Sequence, residues 1–251
     1  MRDMMDFRIE QWRAWAPGLD SDEAWRAWAH DPVKVTDGDE QPSCDFLPAM
    51  QRRRLSRLAR MTLHVAWPLC GKDEQLPLVF ASRHGETPRT FALLSEVADG
   101  QPLSPTQFGL SVHNAIAGQW SILRGQRGES VAIAGEADTF EHAMVEAAAL
   151  LGEGAPAVLV VMAEERPPAA YDGWIDDVPF SYALALRVRG NDTGNDAQAG
   201  QRWQLRLEPG HGDSVNSVWP HALDFVRALH DGNETLNHLW KTRRWIWQRV
   251  P

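Results

Sequence analysis

Residues 130–165 constrain the fold more than any other stretch. "SVAIAG" (130–135) and "PAVLVVMAEE" (156–165) are short apolar runs, and "DTFEHAMVEAAALLGEG" (138–154) between them has the length and composition of a helix. A strand that is apolar at every position, rather than at every second one, must be covered on both faces. The alternation of strand and helix therefore implies an α/β domain with a largely covered sheet.

The alternation extends in both directions. "LPLVFAS" (76–82) reads as a strand, and "TPRTFALLSEVADG" (87–100) as a helix with Thr87 as N-cap, Pro88 in the first turn and Gly100 past the end. "SPTQFGLSVHNAIAGQWSIL" (104–123) reads as one helix, opened by a Ser-Pro cap and carrying Phe108, Val112 and Ile116 at four-residue steps. Beyond 165, "RPPAAYDGWIDDVP" is a loop. The strands "FSYALALRVRG" and "QRWQLRLEP" flank a Gly/Asn/Asp-rich excursion at 190–201 that is expected to be mobile. "WPHALDFVRALHDG" (219–232) is a last helix, and the tail "WKTRRWIWQRV" alternates as a strand with one aromatic and one basic face.

The N-terminal part is less regular. Trp12, Trp15, Trp25 and Trp28 fall in two helix-like pieces separated by "PGLDSDE", each pair at i, i+3, so the rings clamp this segment onto the core or meet another subunit. "AMQRRRLSRLARMTLHVA" (49–66) reads as an amphipathic helix. Leu55, Leu58, Ala59, Thr62, Val65 and Ala66 form its inner face, and Arg53, Arg54, Arg57 and Arg60 a basic exterior that is solvated or docks an acidic partner. A disordered-looking link follows.

Composition narrows the class. With 25 basic against 34 acidic residues the net charge is −9, which argues against a nucleic-acid protein. "MRDMMDFRIEQW" does not read as a secretory signal, and "APAVLVVMA" (155–163) is far below the ~18 apolar residues of a membrane span. Cys44 and Cys70 have no CxxC spacing, so neither a disulfide framework nor a Cys-based zinc site is indicated. The expectation is a soluble, cytoplasmic single domain over 1–251, with no cofactor and no metal.

Two families are resembled at overlapping positions. "VFASRHGET" (79–87) matches the strand-then-RHGE signature of the histidine phosphatases, in which His84 would attack phosphate, and "EPGHGDS" (208–214) resembles their second-histidine turn. That chemistry needs more basic phosphate ligands than Arg83 alone, so this is the alternative reading. The stronger resemblance runs over 103–151, "LSPTQFGLSVHNAIAGQWSILRGQRGESVAIAGEADTFEHAMVEAAALL", which is similar to the N-terminal half of a β-ketoacyl synthase. The Ser-Pro entry, Asn114, Ala117-Gly118, "SI" at 121–122, "G-x-R-G" at 125–128, a small-residue strand and an elbow into a helix follow in family order.

On that register the acylated cysteine of the synthases falls at Ala137, preceded by Glu136, and a methyl group forms no thioester. The resemblance implies a thiolase-like layered α/β fold with a truncated C-terminal part. It also implies a non-catalytic partner of the chain-length-factor type, as in aryl-polyene and xanthomonadin-type pigment systems. Such a subunit pairs with a full-length β-ketoacyl synthase, as a heterodimer or a pair of heterodimers, and meets the acyl carrier protein indirectly. The resemblance places the tunnel stops at His84, Thr87 and Phe91. It places the interface at Phe108, Val112, His113, Asn114, Ile116 and Trp120, where His113 and Asn114 are interface hydrogen-bonding residues or buried polar groups satisfied locally.

Overall fold

The computed structural model describes residues 4–191, 200–210, 218–232 and 234–251. The expected excursion at 190–201 and the turn "EPGHGDS" lie largely outside the described residues.

One mixed sheet of eight strands organises the chain, in the order β3-β2-β4-β5-β1-β6-β8-β7. Its strands are β1 (Met4–Trp15), β2 (Leu78–Ala81), β3 (Ser130–Ile133), β4 (Val158–Glu164), β5 (Tyr182–Gly190), β6 (Gln201–Pro209), β7 (Thr235–Trp240) and β8 (Arg243–Val250). β3, β2 and β4 are parallel to one another, and every later neighbour pair is antiparallel. Helices α1 (Asp22–His30), α2 (Ala49–Arg52), α3 (Arg57–Ala66), α4 (Thr87–Ala98), α5 (Pro105–Ser111), α6 (Ala115–Arg124), α7 (Thr139–Gly152) and α8 (His221–Asp231) complete the molecule.

Both faces of the parallel part are covered, as its uninterrupted apolar runs require. Val158, Val160 and Met162 of β4 face α7, α8 and α1, whereas Leu159, Val161 and Ala163 face α3 and α6. β5 presents Leu184, Leu186 and Val188 to the first side and only Ala183 and Ala185 to the second. Those two small side chains let α3 lie close to the sheet. The first core is largely aromatic: Phe140 stacks on Trp247 at 5.5 Å, and Phe225 and Trp203 close the same cluster.

The structure corrects several local expectations. Residues 4–15 form a central strand, not a helix. A bulge between Ile9 and Gln11 moves the core-facing residues from Phe7 and Ile9 to Ala14 and Ala16, so Trp12 and Trp15 point to opposite faces. An odd separation of three residues in a regular stretch of strand puts Trp12 and Trp15 on opposite faces, whereas in a helix it would put them on one. Trp25 and Trp28 do lie on a helix, α1, whose N-cap Ser21 accepts from the Ala24 amide.

The helix read at 49–66 is two helices, because Ser56 caps α3 through the Ala59 amide. Nor is its arginine face all exterior. Arg57 reaches inward to Asp37 at 2.6 Å and Ser181 at 2.9 Å, and Arg60 donates to the Arg52 carbonyl at 2.7 Å; only Arg53 and Arg54 are exposed. The link after α3 is ordered by Glu74, which grips Arg187 at 2.6 and 2.7 Å. The helix read at 104–123 breaks at Val112 into α5 and α6. Glu86, not Thr87, is the N-cap of α4. The tail is a hairpin turning at Lys241 (φ 55), and its Trp245 and Trp247 face shares strand parity with Arg243, so there is no separate basic face.

Candidate functional site

Between β3 and α7 the chain makes a tight elbow. The Thr139 hydroxyl accepts from the Gly135 amide at 3.0 Å and donates to the Glu136 carbonyl at 2.7 Å. A side chain at Gly135 would press on the His142 ring at 3.2 Å and the Thr139 hydroxyl at 3.3 Å. Ala137 tops this elbow and lines a cavity of about 420 Å³. No serine, threonine, cysteine or lysine is among the described residues lining that cavity.

The two acids flanking Ala137 are held by the C-terminal hairpin. Glu136 accepts from Trp240 Nε1 at 2.8 Å and Arg243 at 2.9 Å and pairs with Lys241. These contacts, Lys241 foremost, hold its carboxyl down at about 2. Asp138 is fully buried and accepts from Arg243 Nε at 2.6 Å and Trp245 Nε1 at 2.9 Å. Burial alone would raise its pKa, and Arg243 and Trp245 bring it below the ordinary value.

Deeper under the elbow, Glu141 is fully buried and joins two histidines: His238 Nδ1 at 2.7 Å and His221 Nδ1 at 2.9 Å. Against the effect of burial, the two imidazoles bring the Glu141 carboxyl well below the carboxylate range. His238 is raised to about 9 in spite of burial, by Asp224 and Glu141. The ligand-type atoms of this trio lie within 4.8 Å of one another, as a metal site requires. Two features argue against that use. The N–O separations are hydrogen-bond lengths, shorter than ligand–ligand spacings around an ion held at ~2.0–2.2 Å. The imidazoles also stack at 3.9 Å and 15°, so no single ion lies in the plane of both rings. The trio is a buried brace joining α7, α8 and β7.

The RHGE turn, at the end of β2, is built around carboxylates. Glu164 is 2% exposed and accepts from the Arg83 amide, from His84 N at 3.3 Å and from Ser82 Oγ at 3.0 Å. Burial pushes its carboxyl up to about 7. Asp177 takes the Arg83 guanidinium and His84 Nε2, both at 2.8 Å. An incoming phosphate would meet two acids, and its one arginine is already paired. The phosphatase alternative fails on this electrostatics, and RHGE is a strand-to-helix turn whose Gly85 (φ 57) packs under His113.

The other sequence candidates separate into groups. Thr87 donates to the His84 carbonyl at 2.6 Å, and Phe91 packs edge-on against Tyr171 at 5.7 Å. Neither residue, nor His84, lines the Ala137 cavity. His113 bonds the Ser82 carbonyl at 2.7 Å, a local satisfaction, and Asn114 is exposed at the start of α6. Ile116 and Trp120 are 1% and 2% exposed inside the chain's own core beside α3, which removes them from any surface. Phe108 (58%) and Val112 (40%) are exposed, with Leu94, Val97 and Ile122 on neighbouring helices and Leu103 in the link between α4 and α5. Sequence reasoning missed Glu141, Glu164, Tyr182 and His221. Glu141 shares its helix with Glu146 and Glu164 stands at a strand end beside Glu165, so no local pattern singled out the first two.

With this geometry established, three comparisons place the chain. The sequence model of the β-ketoacyl synthase N-terminal domain matches residues 25–248. No protein of curated function matches by sequence. Among solved structures, the chain is similar to one chain of the ketosynthase ApeO in complex with its chain length factor ApeC from Xenorhabdus doucetiae. The two share 27% identity with a TM-score of 0.82, over 98% of this chain and 100% of that one. It also resembles the ishigamide ketosynthase/chain length factor (18%, TM-score 0.60, 82% of this chain and 67% of that one). A β-ketoacyl synthase from Burkholderia phymatum STM815 shares the fold as well (13%, TM-score 0.61, 84% and 66%).

The buried ionisable groups give a pH prediction. Glu164 and Glu165 are raised by burial from 4.5 to about 7, so their contribution to stability is present below 4.5 and lost as pH rises through 7. His238, raised from 6.5 to about 9, behaves alike in the window from 6.5 to 9. Asp138 and Glu141 are lowered, and their contributions disappear only in acid. The denaturation midpoint is expected to be highest in mildly acidic buffer and to fall steadily towards pH 9. Glu164→Gln with Glu165→Gln should flatten the part of the curve below 7. Melting curves across this range check it, and a midpoint that rises with pH contradicts it.

Proposed function

The chain belongs to the β-ketoacyl synthase N-terminal domain family, and we propose that within it the protein is a non-catalytic, chain-length-factor-like subunit that pairs with a full-length ketosynthase and shapes its acyl tunnel. The observation that carries this reading is the elbow. Where the synthases present a cysteine stands Ala137, and both flanking acids are pinned by the hairpin of β7 and β8. Neither covalent acylation nor a mobile nucleophile turn is available there.

The likeness to the chain of the ApeO and ApeC complex extends over the whole of that chain, whereas the Burkholderia β-ketoacyl synthase chain is matched over 66% of its length. The partner surface we assign lies at the β3 edge of the sheet. β3 is half-exposed along its length, α6 packs beside it, and α5 and α4 follow on from α6; these helices and the turn after α5 carry Leu94, Val97, Phe108, Val112 and Ile122 as exposed apolar residues. An open strand edge next to an apolar helical surface is what a stable interface covers. His84, Thr87 and Phe91 remain the tunnel-facing candidates on the α4 side of that surface. The carrier protein reaches the complex through the ketosynthase, and of the four arginines at 53–60 Arg53 and Arg54 are the exposed ones open to it. Among the described residues no helix is long and apolar enough to cross a membrane. The free, buried Cys44 and Cys70 agree with a reducing, cytoplasmic setting.

Incubated with acyl carrier substrate, the purified chain should show no mass increase by intact mass spectrometry. An acyl adduct within 135–139 would end the non-catalytic reading. Ala137→Cys should still not condense malonyl units. Co-purification with the ketosynthase tests the surface. Phe108→Asp with Val112→Asp should weaken the complex tenfold or more, about 1.4 kcal/mol, while the chain keeps its melting midpoint. Unchanged affinity would move the interface elsewhere. For the tunnel, Phe91→Ala should lengthen the product at similar initial turnover, and Thr87→Trp should shorten it. An intact complex with an unchanged product distribution in both would remove α4 as the measuring element.

A further inference from the structure

The loop between β4 and β5 carries a tryptophan that the chain's own core does not receive. Trp174 is 84% exposed, whereas Trp25, Trp120, Trp203 and Trp245 are fully buried. The loop around it is held at both its base and its tip. At the base Asp177 takes Arg83 and His84, both at 2.8 Å, and Val178 and Phe180 are buried in the core. At the tip the Trp174 and Ile175 amides both donate to the Tyr171 carbonyl, at 2.8 and 2.9 Å, which closes a turn. The Trp174 ring stands edge-on to Tyr171 at 6.4 Å, and Tyr171 stands edge-on to Phe91 of α4 at 5.7 Å. An exposed ring already held in one place loses little freedom when it is bound.

The ring contacts join Trp174 to the surface assigned to the ketosynthase. Phe91, Leu94 and Val97 follow at three-residue steps along α4, so each neighbours the next on the helix surface, and Leu94 and Val97 are more than half exposed. The uncovered apolar strip of α4 thus continues through Phe91 and Tyr171 to Trp174. From this continuity we propose that the 171–177 loop is a second contact arm for the ketosynthase, with Trp174 entering an apolar pocket on that partner, a role that rests on the reading of the chain as a ketosynthase subunit. Tryptophan is among the residue types that carry most binding energy when seated in such a pocket. The charge of the pocket's rim follows from the flanks of the ring. Asp172 and Asp176, two positions before and after Trp174, are exposed and form no ion pair among the described residues. A pocket that receives the ring brings its rim against both carboxylates, so the rim is basic. A second copy of this chain, at a net charge of −9, meets the same loop with like charge.

Titration of the full chain with its co-purifying ketosynthase tests the arm. Trp174→Ala should weaken the complex tenfold or more, about 1.4 kcal/mol, at an unchanged melting midpoint of the free chain, and Trp174→Phe should recover part of the loss. Asp172→Lys with Asp176→Lys should weaken the complex at low salt and less so at high salt, where the charges are screened. In hydroxyl-radical footprinting read by mass spectrometry, Trp174 should be labelled in the free chain and protected in the complex. Full affinity of Trp174→Ala, or a Trp174 that is labelled equally in the complex, would overturn the arm. If Phe108→Asp with Val112→Asp still weakened that complex, the subunit reading would outlive this failure. A chain that binds no ketosynthase overturns both. An unchanged affinity on double charge reversal overturns the basic rim. Self-association of the free chain that Trp174→Ala abolishes, with the ketosynthase affinity intact, gives the ring to a second copy and overturns the proposal.

Discussion

Arg243 is the side chain on which the arrangement of the elbow depends. Its guanidinium holds Asp138 through two bonds of 2.6 and 3.0 Å and Glu136 through a third of 2.9 Å. Asp138 is 0% exposed. A buried carboxylate stripped of its cation costs roughly 3–5 kcal/mol. The hairpin that supplies Arg243 therefore cannot leave without destabilising the start of α7, and α7 cannot shift without freeing the hairpin. Trp245, bonded to Asp138 by its ring nitrogen, carries the same tie into the aromatic core. The position of Trp240, hence one wall of the cavity, is set by this clamp.

A second tie one turn along α7 repeats the logic. Asp138 and Glu141 lie on one side of the helix, three residues apart, and each projects a carboxylate toward the C-terminal third of the chain. Arg243 answers the first, and the stacked His221 and His238 answer the second. Because β7 and α8 both contribute, the C-terminal strands are not an appendage. They extend the sheet beyond β1 and cover α7's polar side, where a nucleophile-bearing elbow would need open access to substrate.

What was legible in the sequence follows the regularity of the local pattern. β2 and β4 were visible as uninterrupted apolar runs, and β5, β6, α7 and α8 because their apolar stretches are bounded by turn and cap residues. β1 was not, because its bulge changes which residues face the core and its Trp12 and Trp15 stand at a helical i, i+3 spacing although the strand puts them on opposite faces. The division of 49–66 was carried by Ser56, a cap residue in the middle of an otherwise helical pattern. At the site, the register that put Ala137 at the elbow needed only local sequence. The brace and the clamp did not, since Glu141 meets His238 and Asp138 meets Arg243 about a hundred positions away. Charge complementarity over that separation has no periodic signature.

The distribution of covered and uncovered surface bears on how such a chain exists. Along β2, β4 and β5 nearly every side chain is buried, and the aromatic core between sheet, α7 and α8 is closed. The exception is the side of β3. That strand is bound to β2 on one edge only, and α5, which packs on α4 and α6, buries none of its residues. α4 buries Leu93 while Leu94 and Val97 stand more than half exposed. Helices whose apolar residues outnumber what the core receives are stable in isolation only at the expense of hydrated apolar area, about 25 cal/mol per Å². Ala183 and Ala185 show that this fold can fit its layers closely where it has a partner layer to fit. The exposed apolar residues of α4 and α5 belong to the surface proposed for the partner, and β3 stands at the opposite end of the sheet order from the hairpin that closes the elbow.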